Sequence, residues 1–143
     1  MATLSMTQAH RAARNAASIT LADTGAGVAS IKLYTAEGGT LLATRALAKP
    51  CGAVRLADGR IELAQAVDDD LVLADGGAGW GEWCDAGGSA IASGHVTDAD
   101  GNTTSAGSTA ANPLGVGAFV LSGTTGTQLY AGGIVRITTA LIG

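Results

Sequence analysis

A chain of 143 residues, 47% hydrophobic and only 14% charged, suits one domain that buries about 70% of its unfolded surface, and its balance is the reverse of a disordered segment. No apolar stretch approaches the roughly 18 uninterrupted residues of a transmembrane helix, so no membrane partner is expected. The net charge is −4, and ten of the twelve acids lie between Asp58 and Asp100 with no Lys/Arg cluster, so nucleic acid is excluded as an expected partner because counterion release has nothing to work with.

The first segment reads as the one helix. Ser5-Met6-Thr7-Gln8 has the form of a capping box with Ser5 at the N-cap. Met6, Ala9, Ala13 and Ala16 then recur at helical spacing, which predicts a helix over 7–17. His10, Arg11 and Arg14 occupy its other faces, and residues 1–22 are locally basic ahead of the first acid, Asp23. A stripe made mostly of Ala offers little area for packing. The chain is therefore divided into an N-terminal helical arm, 1–17, and a β domain, 18–143. The arm either docks on a neighbouring subunit, with Met6 inserting and Arg11 and Arg14 meeting carboxylates, or caps an open end of its own domain.

From Ser18 onward the period changes to two. Ile19 and Leu21 alternate with Thr20 and Ala22, and a turn follows at 23–27. Strands are predicted over 28–35, where Ile31 and Leu33 share one face and Lys32 and Tyr34 the other, and over 41–47, ended by Lys49-Pro50. Further strands are predicted over 60–66 after the Asp58-Gly59 turn, over 70–74 until Asp75-Gly76-Gly77 breaks the run, and over 78–85, 89–98, 114–121 and 127–139. Residues 97–113 read as a long polar loop, a length usually tied to function or mobility. Eight or nine short antiparallel strands between Gly, Asp and Asn turns predict an all-β fold, a jelly roll or β-sandwich with one short N-terminal helix. With one Phe, two Trp and two Tyr, its core must be Val, Ile, Leu and Ala.

Cys51 and Cys84 stand far apart outside any CxxC pattern, and with only His10 and His95 beside them no zinc spacing exists; buried free thiols and a reducing, intracellular origin are expected. Asp68-Asp69-Asp70 with Asp75, Glu82 and Asp85 offers oxygens to a hard cation, but consecutive strand residues point to alternate faces, so a solvated turn is the expected role. Asp98-Ala99-Asp100-Gly101-Asn102 departs from an EF-hand loop and reads as a β-turn. Gly77-Ala78-Gly79-Trp80-Gly81 lacks the Lys-Ser/Thr of a phosphate loop. In a strand Trp80 shares a face with Glu82 while Trp83 points the other way, which places one Trp in the core; Trp80 and Glu82 are the residues that a carbohydrate platform, the lesser reading, would use. No G-x-S-x-G elbow is present, and nothing local supports a Cys84–His95 dyad. No catalytic residue, cofactor or metal is expected, and the chain reads as a non-enzyme.

The whole-chain layout, with Gly79-Trp80-Gly81-Glu82-Trp83, Ser93-Gly94-His95-Val96-Thr97-Asp98 and Tyr130-Ala131-Gly132-Gly133-Ile134-Val135-Arg136-Ile137, resembles structural proteins of tailed-bacteriophage virions, most nearly the small jelly-roll cement, or head-decoration, proteins. The resemblance implies a subunit assembled in the host cytoplasm that sits on the outer surface of the virion capsid, clamps the major capsid protein and self-associates as a dimer or larger oligomer. Tail and baseplate proteins share the style. The charge-free run from Gly101 to Val135 is expected to lie partly against another subunit, and Met6, His10, Arg11, Arg14 and Trp80 are the candidate interface residues. Competing readings are a carbohydrate-binding sandwich using Trp80 and Glu82, and a small hydrolase using Cys84 or His95.

Overall fold

A computed structural model describes residues 4–67 and 69–143; Asp68 lies outside the described residues. The helix, α1, runs Gln8–Asp23. Its cap is Thr7 rather than Ser5: the Thr7 backbone is extended and its Oγ1 accepts from the His10 amide at 3.2 Å. The alternating segment predicted from Ser18 is helical instead. Ser18 and Thr20 hydroxyls donate to the carbonyls of Arg14 and Ala16, each at 3.2 Å, and so stay within the helix. Residue 17, taken as the boundary of an arm, falls inside α1.

The buried face of the helix also differs from the one expected. Ala9, Ala13 and Ala16 face solvent, while Asn15 and Ala22 are buried and Ile19 packs against the core. The anchors are polar. Asn15 Nδ2 donates to Gly59 O at 2.7 Å, Arg11 donates to Asp58 O at 3.0 Å, and Gln8 Nε2 donates to Leu56 O. Gly59 has a positive φ of +73°, and a Cβ there would come within 2.9 Å of Gln8 O, so only glycine lets the helix backbone approach this turn.

The strands are β1 Ser30–Tyr34, β2 Leu41–Val54, β3 Ile61–Gln65, β4 Asp70–Leu71, β5 Gly76–Gly77, β6 Trp80–Cys84 and β7 Ala90–Thr97, then β8 Asn102–Ser105, β9 Ser108–Ala111, β10 Phe119–Leu121, β11 Gln128–Leu129, β12 Ile134–Val135 and β13 Ile137–Ile142. The chain is thus mostly β with one short helix. Seven of the strands hydrogen-bond in one closed ring, β1-β2-β3-β13-β10-β7-β6, and β5–β11, β4–β12 and β8–β9 form two-stranded ribbons outside it. Two separate facing sheets are not seen, because β13 pairs with both β3 and β10 and closes the ring. The pairing is not antiparallel throughout either: β7 and β10 run parallel, Val96 opposite Phe119, since the chain between them detours through the β8–β9 ribbon.

Two other expectations change. Lys49-Pro50, a cis peptide, does not end a strand; β2 continues through it to Val54 with an irregular register between Leu47 and Gly52. The long loop at 97–113 is instead the β8–β9 hairpin, turned by Ala106 and Gly107, both at positive φ as a two-residue hairpin turn requires.

The barrel interior follows the two-residue period. Ile31, Leu33, Ala43, Leu47, Ile61, Trp83, Val96 and Phe119 are all buried. Gly81 lies over Phe119, where a Cβ would come within 2.5 Å of the ring, so the aromatic ring fills the space a side chain on β6 would take. One charged residue belongs to this inward row. Arg45, opposite Ile31, is fully buried and reaches Asp70 at 3.2 Å, Val67 O at 2.9 Å and the Gln65 side chain.

Candidate functional site

The register of β1, β6 and β7 places Tyr34 opposite Trp80 and Trp80 opposite His95, three rings in one cross-strand row on the outer face of the barrel. Trp80 and His95 meet edge to face, centroids 5.8 Å apart at 77°. The next row along the strands is Lys32, Glu82 and Ser93. Burial first, and then the neighbouring Glu82 carboxylate, push the Tyr34 phenol above its ordinary value of 10.0. Trp80 and Glu82 do share a face, and Trp83 is the core tryptophan. The Trp80 Nε1 atom is buried and makes no hydrogen bond among the described residues, so the indole offers the surface mainly carbon.

A cleft of about 470 Å³ opens beside this row, lined by Trp80 and His95, by Glu37 from the β1–β2 turn, and by Thr103, Ser105 and Asn112 from the β8–β9 hairpin. A second cleft of about 470 Å³ adjoins it, sharing Thr35 and Ser105 and adding Asp75, Gln128 and Tyr130. The hairpin is held over these clefts by polar contacts that its bland sequence hides. Thr104 and Thr127 exchange hydrogen bonds: the Thr104 amide donates to Thr127 Oγ1 at 2.8 Å and the Thr127 amide donates to Thr104 Oγ1 at 3.0 Å. At the hairpin's base the Asp98 carboxylate accepts from the amides of Asp100, Asn102 and Gly126 at 2.9, 2.8 and 2.7 Å. Burial alone would raise the Asp98 pKa; these donors outweigh it and hold the carboxyl below its usual 3.8. Asp98 to Asn102 is thus a turn, as expected, with the Gly101 amide donating to Asp98 O at 3.2 Å.

The five candidate interface residues do not form one surface. Met6 and Arg14 meet on the exposed side of the helix start, with the Arg14 guanidinium 3.4 Å from Met6 Sδ, and His10 is exposed nearby. Arg11 is turned inward to Asp58 O. Trp80 lies opposite Tyr34, which pairs with Leu41 at the start of β2, whereas the helix start is fastened to Leu56, just past the other end of β2. Along β6, Trp80 and Cys84 are about 13 Å apart at the usual strand rise. The same span separates His95 from Cys84, which pairs with Ala90, so these two form no dyad.

Both cysteines are free and buried. Burial, then the Asp23 carboxylate, pushes the Cys51 thiol up to about 12, and burial raises Cys84 as well. The acidic cluster is dispersed among partners of its own. Asp69 pairs with Arg136, Asp70 with Arg45, Asp75 accepts the Ala131 amide at 2.7 Å, and Asp85 accepts the Gly87 and Ser89 amides. Among the described residues no group of three or more metal-ligating side chains gathers, and no helix is long and apolar enough to cross a membrane.

The charge-free run carries some of the apolar side chains that the fold leaves outside. Leu114, Val116, Tyr130 and Ile134 are all exposed. Ile134 pairs with Leu71 across the β4–β12 ribbon, and Leu73 follows two residues on from Leu71; the three are 58%, 63% and 63% exposed. The Asp69–Arg136 ion pair borders this apolar ribbon. Comparison with protein families, with curated proteins and with solved structures finds no match to this chain.

Proposed function

We propose that this chain is a non-enzymatic virion structural protein that seats on the outer surface of a phage capsid, against the major capsid protein, as a cement or decoration subunit. The observation that carries the reading is the β4–β12 ribbon: Leu71, Leu73 and Ile134 stand exposed together outside the barrel and are bordered by an ion pair. Contiguous apolar surface rimmed by charge suits a protein contact. In this reading the barrel takes the role of the jelly-roll or sandwich core expected of such subunits. Modest contacts of this kind gain strength when many copies engage one shell, and neighbouring copies touching across the uncharged surface would add to it.

The test is co-sedimentation of the purified chain with heads and, separately, with tails of the virus that encodes it. Wild-type protein should pellet with heads, and a Leu71→Asp/Ile134→Asp double variant of unchanged melting temperature should not. Wild-type protein that stays in the supernatant with heads, or a double variant that pellets as well as wild type, overturns the reading. Pelleting with tails alone replaces the capsid site with a tail site.

A further inference from the structure

We infer that the cleft between Trp80, His95 and Glu37 binds a neutral oligosaccharide. The shape is right for a small ligand: about 470 Å³, within the range of ligand clefts. The Trp80 ring presents carbon, since its Nε1 is buried, and a carbon face against a carboxylate is what a pyranose needs. Ring C–H groups stack on the indole while hydroxyls turn outward to polar side chains. Glu37, Asn112 and Ser105 supply those partners from two other elements, and an ionised carboxylate accepts the strongest of such hydrogen bonds.

Length and charge of the ligand follow from the surroundings. The adjoining cleft carries a second aromatic ring, Tyr130, with Asp75 and Gln128, and is joined to the first through Thr35 and Ser105. Two aromatic stations along one groove fit a chain of sugars better than a single ring. Among the described residues the lining of the two clefts includes the carboxylates Glu37 and Asp75 and no Lys or Arg, so an acidic sugar meets repulsion while a neutral one does not.

The lining of the two clefts includes none of Leu71, Leu73 and Ile134, so variants of Trp80 and Glu37 test sugar binding apart from attachment to a capsid. The experiment is an NMR titration of the full chain with methyl β-galactoside, lactose, maltotriose and 3′-sialyllactose. At least one neutral probe should shift the Trp80 and His95 resonances saturably and leave the Trp83 indole in place. Sialyllactose should bind no more tightly than lactose. Trp80→Ala should weaken binding about tenfold or more, the loss of one stacked ring. Glu37→Ala, on an exposed turn, gives a second variant that leaves the barrel alone and should weaken binding several-fold. Absence of any shift with all four probes, tightest binding by sialyllactose, or undiminished binding in folded Trp80→Ala and Glu37→Ala variants overturns the inference.

Discussion

Asp98 and Gly126 stand 28 residues apart in the chain, and the Gly126 amide donates to the Asp98 carboxylate at 2.7 Å. The same carboxylate takes the amides of Asp100 and Asn102, so one buried side chain fastens the base of the β8–β9 hairpin to the loop before β11. Removing it strands several amides at once. Asp98→Ala should cost about 1–3 kcal/mol by urea unfolding and loosen the hairpin that lines the clefts.

Acid should act on the same group. The folded pKa of Asp98 is depressed below 3.8, so its contribution is present above that pH and is lost as pH falls below 3.8 through the folded value. As pH falls from neutral to below 3.8 the stability advantage of the wild type over Asp98→Ala should therefore shrink. A constant difference between the two proteins across that range would contradict this linkage.

Arg45 invites a different comparison. Its guanidinium is buried and holds Asp70, Val67 O and Gln65 together, whereas the Asp70 side chain keeps 26% of its exposure. Asp70→Asn leaves the other contacts of Arg45 in place, while Arg45→Met leaves a carboxylate, a carbonyl and an amide to be rehydrated. Arg45→Met should destabilise by about 2–4 kcal/mol and Asp70→Asn by less. Urea midpoints in the reverse order would refute the ranking.

How far residues betray structure here depends on whether the deciding contact is local. The alternation of Ile31 and Leu33 against Lys32 and Tyr34 is local, and it appears in β1 as read. So does the placing of Trp80 and Trp83 on opposite faces with one of them in the core, though which one, Trp83, comes from the fold. The extent of α1 is not legible, because Ser18 and Thr20 look like strand residues until their hydroxyls bond back to the helix. Ala106-Gly107 lacks the Asn-Gly form of a hairpin turn, so the ribbon reads as a loop. Arg45 takes an inward position made tolerable by groups distant in the chain, Asp70, Val67 and Gln65 among them. The aromatic row is the clearest case: each of Tyr34, Trp80 and His95 is visible alone, but their alignment is a matter of register between three strands.

The thiols should be silent in the folded protein. Cys51 and Cys84 are fully buried and their pKa values are raised, which keeps both protonated at neutral pH. A chromogenic disulfide reagent at pH 8 should label neither in native buffer and both in guanidinium. Since the Cys51 thiol goes from an ordinary 9.0 to about 12, the unfolded chain ionises first, and stability should fall as pH rises above 9. Cys51→Ala should flatten that alkaline loss; an unchanged slope would place its origin elsewhere.

The last prediction separates the two roles open to the N-terminal helix. Its small-residue stripe of Ala9, Ala13 and Ala16 is exposed, but the opposite side is fastened to its own barrel by Asn15, Arg11 and Gln8 and packed through Ile19 and Ala22. The Asp23 carboxylate further along accepts the Cys51 amide at 3.0 Å, so both ends of the helix are tied to the β2–β3 region. Such a helix belongs to the fold whatever else it touches. Asn15→Ala should cost about 1–2 kcal/mol by removing a buried hydrogen bond, a fall of a few degrees in Tm. Deleting residues 1–16 removes all three polar anchors and should lower the Tm much further, while Met6→Ala and Arg14→Ala, both on the outer side, should leave it unchanged. A truncated protein that melts with the wild type would show instead that the helix is a detachable arm.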